Sequence, residues 1–289
     1  MSRFTDANRS PILKPLFGAV TGVGAGQTAQ IKLPPGLTFA DVIVRCTAAG
    51  VARTRANLEA DIETVRFTVS GDEKKSITSK QHIAIAEFHQ TGIIGDTGNL
   101  FFPFSRLWMN DVGPKMDPNY GTDGETSVVL ELKQAAGSGI DAMQVYVRLN
   151  PLAEKLGAHI ITRRFTFAVP GSGKFQYPDL PINPGEYLYA LHLEVPTPAD
   201  LTNIAYIPDD VRMIDITQDV LASIYKTSTP NKTPQTAKGF VHLDFAARCL
   251  DTDAIPVGLL ASQVLELDFS TAVAGRTVTV LGEYAQVKR

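Results

Sequence analysis

The sequence predicts an all-β protein that consists of two similar units in tandem. Three observations indicate this: a length of 289 residues, apolar residues that alternate with polar ones, and short phrases that recur at a nearly constant distance. A chain of this length is typical of two domains. Hydrophobic residues make up 44% of the chain and charged residues 20%, so the sequence can fill packed cores and is unlike a disordered chain.

Strands account for most of the predicted elements, because alternation with a period of two places one face of a strand on a core. The 23 glycines and 18 prolines indicate many turns between them. Alternation predicts strands at 29–33, 42–45, 65–69, 128–133, 145–149, 164–167, 191–195, 211–216, 240–245, 265–269 and 278–280.

Two segments are predicted to be helical. Ser79–Gln90 begins at a plausible cap, Ser79, and ends before a glycine. Thr217–Lys226 has an acidic residue in its first turn and apolar residues on one side. Each helix follows a predicted strand that contains a Val-Arg pair, Val65 in the first case and Val211 in the second.

These parallels predict one β unit built twice. Leu33 and Leu180 each begin a Pro-rich phrase that leads into a strand, and the closing strand 144–149 corresponds to 277–284. Each unit has the size of an eight-stranded jelly roll with one short helix, a sandwich that hides its strand edges. We expect an N-terminal jelly roll over 1–155, with an arm at 1–17, and a C-terminal one over 156–289.

Charge and cysteine content exclude several classes. A net charge of −3 argues against a general nucleic-acid binder, and the chain has no polybasic anchor or apolar run of bilayer length. Cys46 and Cys249 have no metal-binding spacing and are predicted to be reduced thiols in strands.

One enzymatic alternative is a jelly-roll oxygenase with non-haem iron. His192, Glu194 and His242 form an H-x-E…H set, and Arg248 follows. Strand alternation argues against the site, because Leu191 and its alternate neighbours from Tyr187 to Val195 should face the core. His192 and Glu194 would then point outward, away from the interior where iron would bind.

Two further candidates are weaker. Loop carboxylates could bind calcium through oxygen ligands, although solvated turns explain them as well. These residues are Asp111, Asp117, Asp123, Glu125, Asp251 and Asp253. A carbohydrate-binding β sandwich would need a row of exposed aromatic residues, and the single tryptophan, Trp108, is a poor candidate for that role.

Short motifs distributed over most of the chain carry a resemblance to a known family. The sequence resembles the major capsid proteins of membrane-containing, tailless icosahedral bacteriophages of the double jelly-roll lineage, of the corticovirus type. The matching segments are Gly24–Phe39, Arg163–Phe165, Asp179–Pro181, Ala190–Leu193 and Glu283–Tyr284.

The resemblance implies a structural, non-enzymatic protein of the virion shell that is assembled in the host cytoplasm. It implies homotrimers with a pseudo-hexagonal footprint that contact neighbouring trimers, a vertex (penton) protein and an internal lipid membrane, without direct nucleic-acid binding. No cofactor is required; calcium between subunits is implied, but no ligand position here matches the family. Basic and apolar residues are mixed in the segment 1–17, which suits an arm that contacts a neighbouring subunit or the membrane surface; a disordered terminus explains the segment as well.

Overall fold

A computed structural model describes residues 12–16, 18, 20–89, 97–104, 120–150, 153–178, 180–228, 232–246, 254–271, 273 and 276–287. The chain divides into two compact units. Unit 1 comprises Met1–Ile161 with Lys288–Arg289, and unit 2 comprises Thr162–Val287. The sequence predicts the boundary after residue 155, which is slightly before the division observed between Ile161 and Thr162.

Unit 1 consists of eleven strands and two helices in its described residues. The elements are β1 (Ile12–Pro15), β2 (Val20–Thr21), β3 (Thr28–Leu33), β4 (Thr38–Ala48), β5 (Val51–Ala52), α1 (Arg55–Asp61), β6 (Ile62–Val69), β7 (Asp72–Ile77), α2 (Ser79–Phe88), β8 (Asn99–Pro103), β9 (Tyr120–Gly121), β10 (Val128–Gln134) and β11 (Ala142–Asn150).

Unit 2 begins with a strand that starts at the end of unit 1. The elements are β12 (Ala158–Val169), β13 (Gly173–Tyr177), β14 (Glu186–Glu194), β15 (Leu201–Pro208), β16 (Ile214–Thr217), α3 (Gln218–Ser228), β17 (Phe240–Asp244), β18 (Gln263–Phe269) and β19 (Arg276–Val287). Short 3-10 turns occur at Pro198–Asp200, Thr236–Lys238 and Val257–Leu259.

The two units have the same strand order. In unit 1, β1-β11-β4-β8 form one sheet and β3-β10-β6-β7 form the other, with the short strands β5, β9 and β2 added at their sides. In unit 2, β12-β19-β14-β17 and β13-β18-β15-β16 repeat both orders, strand for strand. Eight antiparallel strands in two sheets with this order form a jelly roll, so the predicted duplication is confirmed in the topology.

The units are sandwiches, as the sequence predicts, but their sheets are open and keep edge strands, so the strand edges are not hidden. One detail of the predicted duplication is wrong. The Val-Arg pairs are not equivalent, because Val65 lies in β6 whereas Val211 lies in the turn before β16 and is 64% exposed. The true equivalence is the hairpin and the helix that follows it: β6, β7 and α2 in unit 1, and β15, β16 and α3 in unit 2.

The core of unit 1 lies between its two sheets. Val42 and Val44 of β4 pair with Val147 and Val145 of β11, and all four side chains are buried. Alternate residues such as Ile43 lie on the opposite face of the same sheet. This is the pattern of one buried face that the period of two predicts.

The helices differ from the sequence predictions. The described residues of unit 1 contain two helices, whereas the sequence predicted one. The helix that was not predicted is α1, which Thr54 caps and in which Leu58 is fully buried. Helix α2 is capped by Thr78 and not by Ser79, and a reciprocal capping box joins Thr78 and Gln81. None of the helices in the described parts of the chain is long and apolar enough to span a bilayer.

Two other expectations concern the N-terminal segment and the cysteines. Of the predicted arm, residues 1–11 and 17 lie outside the described residues, but Ile12–Pro15 are strand β1, paired with β11. Cys46 lies in β4, and burial raises the pKa of its thiol to about 12. Cys249 lies outside the described residues.

Replacement of Gly121 by alanine should destabilise unit 1. A Cβ at this position would lie 2.4 Å from the carbonyl oxygens of both Glu154 and Lys155, and backbone atoms cannot easily move away. Overpacking of this kind costs roughly 1–3 kcal/mol. Urea unfolding of Gly121→Ala should show the loss, whereas Gly137→Ala, which meets no atom within 4 Å, should unfold like the wild type. Equal stability of the two variants would contradict the packing described here.

Candidate functional site

The structure brings together the two histidines of the alternative iron site. His192 of β14 and His242 of β17 are directly opposite in the antiparallel register, and their Nδ1 atoms lie 2.7 Å apart. His192 Nε2 lies 3.1 Å from a carboxylate oxygen of Glu283 on β19. At the short Nδ1 contact, one ring donates a hydrogen bond and the other accepts it, so one Nδ1 carries no proton.

His192 lies on the face opposite Leu191, as strand alternation predicts, but neither histidine is exposed. His192 is fully buried, and so is His242 at 2% exposure. Alternation does place His192 on the face opposite Leu191, but both faces of this part of the sheet are buried, so alternation cannot distinguish inside from outside. A bulge between Leu188 and Ala190 also shifts the pattern, and Tyr187, expected in the core, is 43% exposed.

The contacts of His192 do not form the iron site of the oxygenase alternative. Its two ring nitrogens point in different directions, one to His242 and the other to Glu283. Metal ligands must converge at roughly 2.0–2.2 Å from one ion. Glu283, His192 and His242 instead form a buried chain of polar contacts. Glu194 is only partly buried at the end of β14, and Arg248 lies outside the described residues.

Most of the predicted calcium ligands cannot be placed. Asp111, Asp117, Asp251 and Asp253 lie outside the described residues, as does Trp108. Asp123 is exposed in a turn, where its backbone N–H donates to the carbonyl of Glu154. Glu125 accepts a hydrogen bond of 2.6 Å from Ser70. Calcium binding by these residues stays a prediction.

Sequence reasoning missed a buried ion pair next to α3. Lys232 Nζ lies 2.9 Å from Asp244 Oδ2, and both side chains are excluded from water. The backbone N–H of Asp244 donates to the Tyr225 hydroxyl at 2.8 Å, which joins α3 to β17. Burial raises the pKa of Tyr225, and the nearby Asp244 carboxylate raises it further. The tyrosine therefore stays neutral and serves as a hydrogen-bonding support.

A second buried carboxylate lies at the start of β14. Both guanidinium Nη atoms of Arg163 contact Glu186, one of them at 2.6 Å, and Asn183 and Gln286 donate to the same carboxylate. Arg163 also lies over the ring of Tyr284, 5.1 Å from its centroid. Arg163 and Tyr284 are both in the segments that carry the family resemblance. Those motifs therefore coincide with the buried contacts of Arg163 with Glu186 and Tyr284, called the clamp below.

Unit 1 has a comparable pair on its equivalent strand. Asp41 of β4 is fully buried, and Arg148 of β11 donates two hydrogen bonds to its Oδ2. Burial raises the pKa of Asp41, whereas the Arg148 guanidinium lowers it. The sequence signal for such pairs is a charged residue inside an otherwise apolar strand. These arrangements hold strands together and offer no exposed reactive group.

The chain matches two family models in sequence. Residues 17–150 match "Viral coat protein P2 N-terminal domain", and residues 161–288 match "Viral coat protein P2 C-terminal domain". No curated protein matches the sequence.

Solved structures with the same fold are capsid proteins. The chain is similar to the major capsid protein P2 from bacteriophage PM2, with 18% identity over 96% of this chain and 98% of that one and a TM-score of 0.84. The MCP of STIV, the Sulfolobus Turreted Icosahedral Virus, has 12% identity over 96% and 97% of the two chains and a TM-score of 0.68. A PBCV-1 virus capsid chain has 9% identity over 96% and 95% and a TM-score of 0.65.

Removal of the Arg163 guanidinium should strongly destabilise the protein, because it leaves the Glu186 carboxylate buried without its cation. Breaking a buried pair in this way costs roughly 3–5 kcal/mol. Denaturant unfolding of Arg163→Met at neutral pH should show a loss of this size. Arg66→Met is the matched control, because Arg66 and its partner Glu73 are 47% and 46% exposed. Exposed pairs contribute at most about 1 kcal/mol, so similar losses in the two variants would contradict the clamp.

Glu266 of β18 should make stability depend on acid pH. Hydrogen bonds from Arg212 and Gln176 lower the pKa of this carboxyl to about 2. Its ionised form therefore stabilises the fold above the unfolded-state pKa of about 4.3, and this contribution is lost as the pH falls toward 2. Glu266→Gln should have a lower melting temperature than the wild type at pH 7, and the two melting curves should converge near pH 2. A difference that is independent of pH would contradict this assignment.

Proposed function

Since this chain belongs to the viral coat protein P2 family, we propose that it assembles into homotrimers that tile an icosahedral shell around an internal lipid membrane. The protein is a major capsid protein of the double jelly-roll type. Its role is structural and not enzymatic, and its place is the capsid of the virion. The oxygenase alternative with His192, Glu194 and His242 is therefore set aside.

The observation that supports trimers is the repeated strand order. Two jelly rolls of equivalent topology in one chain give six similar units in a ring of three chains. Such a ring has threefold symmetry but a nearly hexagonal outline, which suits close packing in a shell. Closed cyclic symmetry is the usual outcome for soluble homo-oligomers.

Weak contacts between trimers are sufficient for a shell, because closure of a symmetric assembly combines many of them. The small net charge of −3 keeps repulsion between neighbouring copies low. We further propose contacts with a vertex protein at the fivefold positions and with the internal membrane; these two partners follow from the family resemblance alone, as does calcium between subunits. Direct binding of nucleic acid is not expected.

Size-exclusion chromatography with light scattering tests the trimer directly. The purified chain should elute as a species with three times its mass of 31.2 kDa, over a range of micromolar concentrations. The trimer should persist after dilution, because obligate interfaces on the order of 2,000 Å² or more dissociate slowly. A monomer or dimer at all concentrations would contradict the proposal.

A further inference from the structure

The equivalent helices of the two units differ in burial. Almost every side chain of α2 is buried in the single chain, Ile83 among them. Helix α3 buries only one side, with Leu221 and Tyr225, and exposes Val220 at 48% and Ile224 at 38%. The last two are one helical turn apart and therefore share a face. In unit 2 this helix keeps an apolar face that its counterpart in unit 1 does not have.

The equivalent sheets also differ in burial, but here the more exposed sheet is the one in unit 1. In unit 2, β14 and β17 are buried on both faces, as the burial of His192 and His242 shows. In unit 1, the outer face of β4 and β11 is open: Ile43 and Tyr146 are half-buried, and Arg45 is exposed. Each unit thus leaves one surface uncovered whose counterpart in the other unit is covered.

The open face of the unit 1 sheet contains a groove of about 450 Å³. Ile43 and Tyr146 are paired across β4 and β11 and form the floor of the groove. Arg45 is the next residue of β4 on the same face. Leu13 of β1 is 61% exposed at one side. The complete lining is Leu13, Ile43, Arg45, Ala52, Thr97, Asn99 and Tyr146.

The groove and the exposed face of α3 complement each other in polarity and charge. Val220 and Ile224 are exposed branched apolar side chains, and the floor of the groove is apolar as well. Arg45 has no ion-pair partner among the described residues, and Asp219 is exposed in the first turn of α3. Hydrogen bonds from Thr217 and from the helix backbone lower the pKa of Asp219, which keeps it ionised.

We propose that α3 of one chain docks into the groove on unit 1 of a second copy, with Asp219 facing Arg45. The contact joins different surfaces of the two chains, so each chain offers one groove and one helix, and three such contacts close a ring. It covers both surfaces that the single chain leaves open. This inference rests on the proposed homotrimer and names the surfaces that hold it together.

The first test disrupts the apolar face. Val220→Asp with Ile224→Asp should raise the dissociation constant of the trimer at least thirtyfold, because central apolar anchors dominate such interfaces. Val211→Asp is the control, since Val211 is 64% exposed in unit 2 but lies before β16 and outside α3. The mass of each variant is followed by light scattering on dilution, and circular dichroism and thermal melting show whether each chain is folded.

The second test exchanges the charges and does not depend on apolar substitutions. Arg45→Asp and Asp219→Arg should each weaken the trimer about tenfold, and the double variant should recover most of the loss, because the two residues face each other in every contact.

The outcomes separate this inference from the proposed function. A wild-type chain that never forms trimers overturns both. A wild-type trimer whose mass is unaffected by the α3 substitutions, or that is weakened equally by Val211→Asp, overturns the docking of α3 and leaves the trimer intact. Failure of the double charge variant to recover overturns the pairing of Arg45 with Asp219.

Discussion

One constraint underlies the whole structure: two four-stranded antiparallel sheets must bury their facing sides against each other, because neither sheet is stable with both faces in water. Each unit meets this constraint in the same way, with strand orders β1-β11-β4-β8 and β3-β10-β6-β7 repeated in unit 2. Once the inner faces are buried, the outer faces and the helices become available for other contacts. The two units differ in these outer surfaces, which are the surfaces proposed to contact a second copy of the chain.

Buried charges are the second feature that the two units share. Glu186 and Asp41 lie early in the equivalent strands β14 and β4. Asp41 is paired with Arg148 of the neighbouring strand β11, whereas Glu186 is paired with Arg163 of β12, which lies beyond β19. Lys232 is paired with Asp244 beside α3. A buried charge is tolerated only when it is paired and hydrogen-bonded. Each such pair fixes one segment of the chain against another, so it favours one arrangement of the strands over alternatives with a similar apolar pattern.

The sequence allows the strands and their duplication to be predicted, because alternation is a local property of each strand. Its limits have a physical cause. Helix α1 is short and depends on the burial of Leu58 and the cap at Thr54, so its segment carries no long helical pattern. The burial of His192 and the pairing of Arg163 with Glu186 depend on contacts with other strands, which alternation alone does not specify. Family motifs identified the capsid class, whereas the assignment of individual ligands had no comparable pattern to use.

Electron microscopy of the purified assembly, with class averages viewed along its symmetry axis, tests the ring of six jelly rolls most directly. We expect six similar densities around a threefold axis, two from each chain, because unit 1 and unit 2 repeat one topology. A twofold dimer, an open filament or a ring of three single densities would contradict it.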